Sequence, residues 1–372
     1  MTRTLFLSSC VAALLSCSRT EAPVRQVGPA ATAASPPSRR PPRSTSPPRP
    51  TLQPRPTPRS RPVPPPAISA QEAARILFPA ARGQRPEASA SRALQRCAQG
   101  AREARVRCLL ARRYRGDARA KPLAVQLYGL TGSVVGLEPA RIMDGGWRGK
   151  LRLVPELPVG RHRRHLRRIT AAFRDIHEFV TALGKAKRKD TPQRLRYRYR
   201  YRALAIKVFR SVKRRTPSAY AWSWSVAYNV NGSLLRTKAG VRETLFHELF
   251  HLNDAAQKGW SERALTGLYS GIVQRCTRGR GKRKRLSNHC LTPFAPHRTR
   301  VMGGTYYAFH PESGVGEYAA ELAVRYFLEH RAVLRKGARL PQFKCRTPEN
   351  ARAWGLLAGA FFGGVDLTPA CR

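Results

Sequence analysis

The stretch E-T-L-F-H-E-L-F-H-L-N-D, residues 243–254, decides how the rest of this chain is read. No proline interrupts Val241 to Lys258, Gly259 stands ready to end a helix, and Val241, Leu245, Leu249 and Leu252 form an apolar stripe. The spacing therefore predicts a helix. Residues four apart share one helix face, so His247 and His251 can aim their imidazoles at one cation. Glu248 lies on the adjacent face, where its carboxylate can accept a proton from a water held by that cation. Zinc, as one catalytic ion, is the metal this donor chemistry suits, and catalytic zinc usually takes three protein ligands.

A third ligand is missing nearby: the position six residues after His251 is Gln257. Residues 316–337, GEYAAELAVRYFLEHRAVLRKG, read as a second helix with Glu317 and Glu321 one turn apart. Packed beside the first helix, Glu317 completes a His-His-Glu set. Glu321 can orient a ligand imidazole from behind, and Asp254 is a second candidate for that outer role. The alternative is a pair of solvated acids on a surface helix. Against it, the chain has only 21 Asp and Glu, and this pair sits among Ala319, Ala320 and Leu322.

His-Glu-x-x-His followed at a distance by Glu-Tyr-x-Ala-Glu resembles the gluzincin peptidases, in particular the anthrax lethal factor type of catalytic domain, over about residues 220–335. The resemblance implies an α+β, mainly helical zincin-like domain with a small sheet or hairpin before the active-site helix. It implies that Glu317 binds zinc and that Glu248 is the general base, passing its proton to the leaving amine. It also implies that a tyrosine before Glu317 steadies the oxyanion. In TYYAFHP, residues 305–311, Tyr307 is the match, with Tyr306 and His310 as alternatives for that role. The expected activity is a zinc-dependent endopeptidase acting on a protein or peptide, with His310 or His330 next in line should Glu317 not be the ligand. Hydrolysis of cell-wall peptide bridges is the same chemistry on another substrate.

Outward from this centre, residues 69–131 read as short amphipathic helices, 147–160 as a strand, and 162–189 as a helix with Leu166, Ile169, Phe173, Ile176 and Val180 on one face. Residues 190–215 alternate Arg and Tyr. Thr191 before Pro192 signals a helix start, and Leu195, Tyr199, Ile206 and Phe209 share a face, so a basic surface helix is expected there rather than a nucleic-acid-binding ribbon. Residues 221–237 predict a β-hairpin with Asn231-Gly232 at its bend. The folded domain thus divides into a helical N-terminal part, 68–215, and a zincin-like catalytic part, 216–372.

Ahead of it, residues 1–17 pair a basic start with about a dozen apolar residues, too few to span a bilayer, which is a secretory signal. Its end, Leu14-Leu15-Ser16-Cys17, resembles the lipobox of bacterial lipoproteins and implies lipidation of Cys17 and anchoring to a membrane of the cell envelope. Residues 18–67 are Pro, Arg, Ser and Thr for long runs, a disordered tether. Export suits the other six cysteines, for which nearest-neighbour disulfides are expected: Cys97 with Cys108, Cys276 with Cys290, Cys345 with Cys371. The 372 residues carry a formal charge of +49, from 70 Lys and Arg of which 13 are Lys. That field favours anionic polymers. The rival reading is therefore a non-enzymatic basic surface protein that binds nucleic acid, lipopolysaccharide or cell wall and has a structural zinc. Glu248 argues against it, since a closed structural site has no use for a free carboxylate beside its ligands. No motif encodes substrate preference or oligomeric state.

Overall fold

The computed structural model describes residues 67–80, 88–144, 149–185, 199–279, 285–301, 304–311, 314–336 and 341–371. The signal, Cys17, nearly all of the tether and the Thr191-Pro192 helix start lie outside the described residues, and so does the centre of the basic loop between Cys276 and Cys290. The described residues belong to one compact unit, of class α+β. No helix among them is long and apolar enough to cross a membrane.

The N-terminal helices are α1 (Ala70–Leu77), α2 (Ala88–Gln95), α3 (Arg102–Arg113) and α4 (Ala120–Thr131). Ser69 caps α1 by accepting the Glu72 N–H at 3.1 Å, and the Cys97–Cys108 disulfide ties α3 to the end of α2. Six strands follow in chain order: β1 (Val134–Leu137), β2 (Arg141–Asp144), β3 (Lys150–Pro155), β4 (Ala205–Ser211), β5 (Ala219–Trp222) and β6 (Ser225–Asn229). The long helix α5 (Arg163–Lys185) intervenes between β3 and β4. The part expected to be helical, 68–215, thus also contains four strands.

The sheet runs β2-β3-β4-β6-β5, with β1 and β3 end to end along one edge of β4. Strand β4 is parallel to β1 and β6, while β5 closes the sheet antiparallel to β6. This corrects the helix expected within 190–215. Tyr199, Ile206 and Phe209 are buried as that reading required, but residues 205–211 form the most central strand. A strand paired on both edges and covered on both faces needs a nearly continuous apolar run, which Ala-Ile-Lys-Val-Phe supplies. The arginine-tyrosine repeat before it concealed the change of period.

The hairpin exists, but its bend is elsewhere. Strands β5 and β6 turn at Ser223-Trp224, both with positive φ (43° and 59°), and not at Asn231-Gly232. Gly232 serves close approach instead: a Cβ there would stand 2.9 Å from the Ser218 Cα. Trp224 is held by packing against the core, with the Arg200 guanidinium 4.0 Å above its ring.

Packed against β5 and β6 is α6 (Lys238–Ala256), with α9 (Gly314–Leu334) beside it, the two joined through α7 (Trp260–Cys276), the short β7 (Thr277–Arg278) and β8 (Arg285–Leu286), and α8 (Asn288–Leu291). Phe246 of α6 stacks on Phe327 of α9 with centroids 4.4 Å apart. Phe179 of α5 meets both rings edge-on, and Tyr199 covers the other face of Phe246. These aromatics lock three helices together beside His247. Helix α10 (Pro348–Phe361) and the Cys345–Cys371 disulfide close the C-terminus, and Cys276–Cys290 closes the basic loop. All three expected cysteine pairings are present.

Candidate metal centre

Helix α6 begins where Thr237 accepts the Gly240 N–H at 2.9 Å, and it ends at Ala256, before Lys258 and Gly259 turn with positive φ. From Thr244 to Phe250 every residue is buried, so this is a central helix and not a surface one. Gly240 is required at its first turn: a Cβ would stand 2.1 Å from the Leu234 carbonyl oxygen, which cannot move without opening the junction. Helix propensity alone would make Gly240→Ala stabilising by about 1 kcal/mol. The clash is expected to reverse that sign, costing roughly 1–3 kcal/mol in denaturant unfolding; a variant more stable than the parent would refute the packing argument.

His247 and His251 project from α6 toward Glu317 in the first turn of α9. The three donors form a small triangle. Nε2 of His247 lies 3.0 Å from Nε2 of His251 and 2.9 Å from Oε2 of Glu317, and the third side, His251 to Glu317, is 3.4 Å. Among the described residues no other set of three His, Cys, Asp or Glu side chains converges in this way. Ligands of a tetrahedral zinc at about 2.0–2.1 Å stand about 3.3 Å apart, so the donor set and its spacing fit such an ion.

Electrostatics agree. Burial alone would lower the His247 pKa, but the Glu317 and Glu321 carboxylates raise it well above the usual imidazole value. Burial alone would raise that of Glu317, but His251 and His247 hold it far below the usual carboxylate range. The side chains meet at a point that favours positive charge.

Around the triangle, Glu248 is buried next to His247. Glu321 places Oε1 3.5 Å from His247 Nδ1, the back of the ligand ring. Tyr307 lies in a short 3-10 turn, residues 307–309, with its ring centroid 6.1 Å from that of His247. His310 ends that turn, half-buried. Tyr306 is engaged elsewhere, its hydroxyl 2.9 Å from Thr292 Oγ1 and its ring under Arg300. Asp254, expected behind a ligand imidazole, instead accepts the N–H and Oγ–H of Ser261, both at 2.7 Å, and so joins α6 to α7. His330 is buried away from the triangle, Nδ1 against the Tyr326 carbonyl at 2.8 Å and Nε2 accepting the Leu367 N–H at 3.1 Å.

Two residues of this neighbourhood lie outside the motifs of the sequence. His297 lies between Glu321 and Glu243. Glu243 stands one helical turn before His247, a spacing that could have marked it; His297 follows Pro296 in a connecting segment with no periodicity to read. No family model matches the chain, and neither a curated protein nor a solved structure matches it.

Proposed function

We propose that this chain is an exported zinc-dependent endopeptidase with a zincin-like catalytic domain. The observation that carries the reading is the triangle of buried His247 and Glu317 with half-buried His251, and Glu248 beside it on the same helix as the histidines. His247, His251 and Glu317 hold the ion. When bound, zinc supplies a Lewis acid for a peptide carbonyl and brings the pKa of a water toward about 7. Glu248 takes the proton from the attacking water and delivers it to the leaving amine nitrogen. Tyr307, next to His247, donates its hydroxyl to the oxygen that gains charge. Strand β5, at the end of the sheet and packed against α6, offers backbone groups to an extended peptide. The resemblance to lethal factor-type gluzincins, the secretory signal and lipidation of Cys17 belong to the same proposal, and the three disulfides are compatible with export.

The test is cleavage of a mixed peptide library by the full chain loaded with zinc. Cleavage is expected to stop when a chelator strips the metal and to return when zinc is added back. Stoichiometric zinc with no cleavage would favour the basic binding protein, and cleavage indifferent to the chelator would remove zinc from the mechanism.

A further inference from the structure

Glu321 is where the donor triangle meets the rest of the protein. Its Oε1 faces His247, and its Oε2 lies 3.4 Å from Nδ1 of His297. On the far side of that ring, His297 Nε2 lies 3.6 Å from Glu243 Oε2, while Thr299 Oγ1 stands 2.6 Å from the same Nδ1 that faces Glu321. Arg242 Nη2 lies 3.5 Å from Glu243 Oε1. An alternating chain of His247, Glu321, His297, Glu243 and Arg242 therefore runs outward from the candidate metal site.

This arrangement answers an electrostatic need. When His247 faces a cation through Nε2, its proton is on Nδ1 and the ring is neutral. Glu321 then receives a hydrogen bond from it but no compensating charge. A carboxylate whose side chain is only 9% exposed is costly without a cation nearby. Left alone it would turn toward water, and His247 would lose what holds its ring. His297 is the group able to supply a positive charge at the other oxygen, and Glu243 and Thr299 fix the plane of its imidazole. Its own pKa is raised: burial opposes the charge, but Glu321 and Glu243 outweigh it.

We propose that His297 is a positioning residue of the metal centre, holding the Glu321 carboxylate and, through it, the orientation of the His247 ring. The inference rests on the reading of His247, His251 and Glu317 as metal ligands, and it adds a residue from a connecting segment outside α6 and α9. A histidine that only stapled this segment to α6 and α9 would affect thermal stability and leave metal binding alone.

The experiment measures zinc affinity by chelator competition and the visible spectrum of the cobalt-substituted full chain. It compares the parent with His297→Leu, His297→Gln and Glu243→Gln, alongside thermal unfolding of each metal-free protein. His297→Leu is expected to lose about tenfold or more in zinc affinity, as outer partners of ligands do, and to change the cobalt spectrum. His297→Gln, polar but without a charge to set against Glu321, is expected to lose zinc affinity as well. Parent-like affinity and spectrum in His297→Leu would overturn the inference, and so would parent-like affinity in His297→Gln, which would leave the imidazole's charge without a role. Should His297→Leu not fold, Glu243→Gln decides: a severalfold loss supports the inference and unchanged affinity overturns it. A parent that binds no zinc would instead overturn the metal site itself, and this inference with it.

Discussion

Glu248→Gln is expected to keep its zinc and to lose peptide cleavage by roughly 10²–10⁴-fold, the contribution of a positioned general base. The substitution keeps the volume of a side chain that is 2% exposed and is about neutral for helix propensity. It removes the ability to accept a proton at the one buried acid that adjoins His247 in the chain without closing the donor triangle. Metal content and turnover are therefore expected to separate. Turnover at the parent's level would refute the general-base role, and loss of zinc would make Glu248 a ligand in place of a base.

Glu317→Ala is expected to do the reverse, lowering zinc affinity by about 10²-fold or more, beyond what outer partners contribute. Its carboxylate is the only acid of the triangle and is buried between the two imidazoles. Binding to the folded state alone stabilises by about 2.7 kcal/mol at a hundredfold excess over Kd, so the rise in melting temperature that zinc gives the parent is expected to vanish in the variant. The rise is measured against the metal-free variant itself, because removing one partner of a buried charge cluster also lowers the stability of the metal-free fold. Unchanged metal content would move the third ligand elsewhere. His310 would be the next candidate, because His330 has both nitrogens engaged by Tyr326 and Leu367.

Much of the centre was legible from periodicity. A spacing of four on a helix puts His247 and His251 together whatever surrounds them, and the same spacing puts Glu317 and Glu321 on one face of α9. The disulfides were legible because nearest neighbours close short loops, of separation 11, 14 and 26 residues. Strand β4 was not, since a run buried on both faces has no alternation to read. The hairpin bend was missed because Asn231-Gly232 carries the stronger local signal, whereas the register of β5 against β6 and the packing of Trp224 are settled by partners distant in sequence.

By itself, then, the sequence determined the two helices of the centre, their chemical faces and the residue types able to bind a cation, because those follow from local geometry. Only the tertiary structure decided that α9 brings Glu317 within 2.9 Å of His247, that Asp254 belongs to Ser261, and that His297 stands behind Glu321. These are contacts between segments 7 to 70 residues apart. They depend on how an aromatic core of Phe179, Phe246 and Phe327 sets three helices against one another, and no local pattern records that packing.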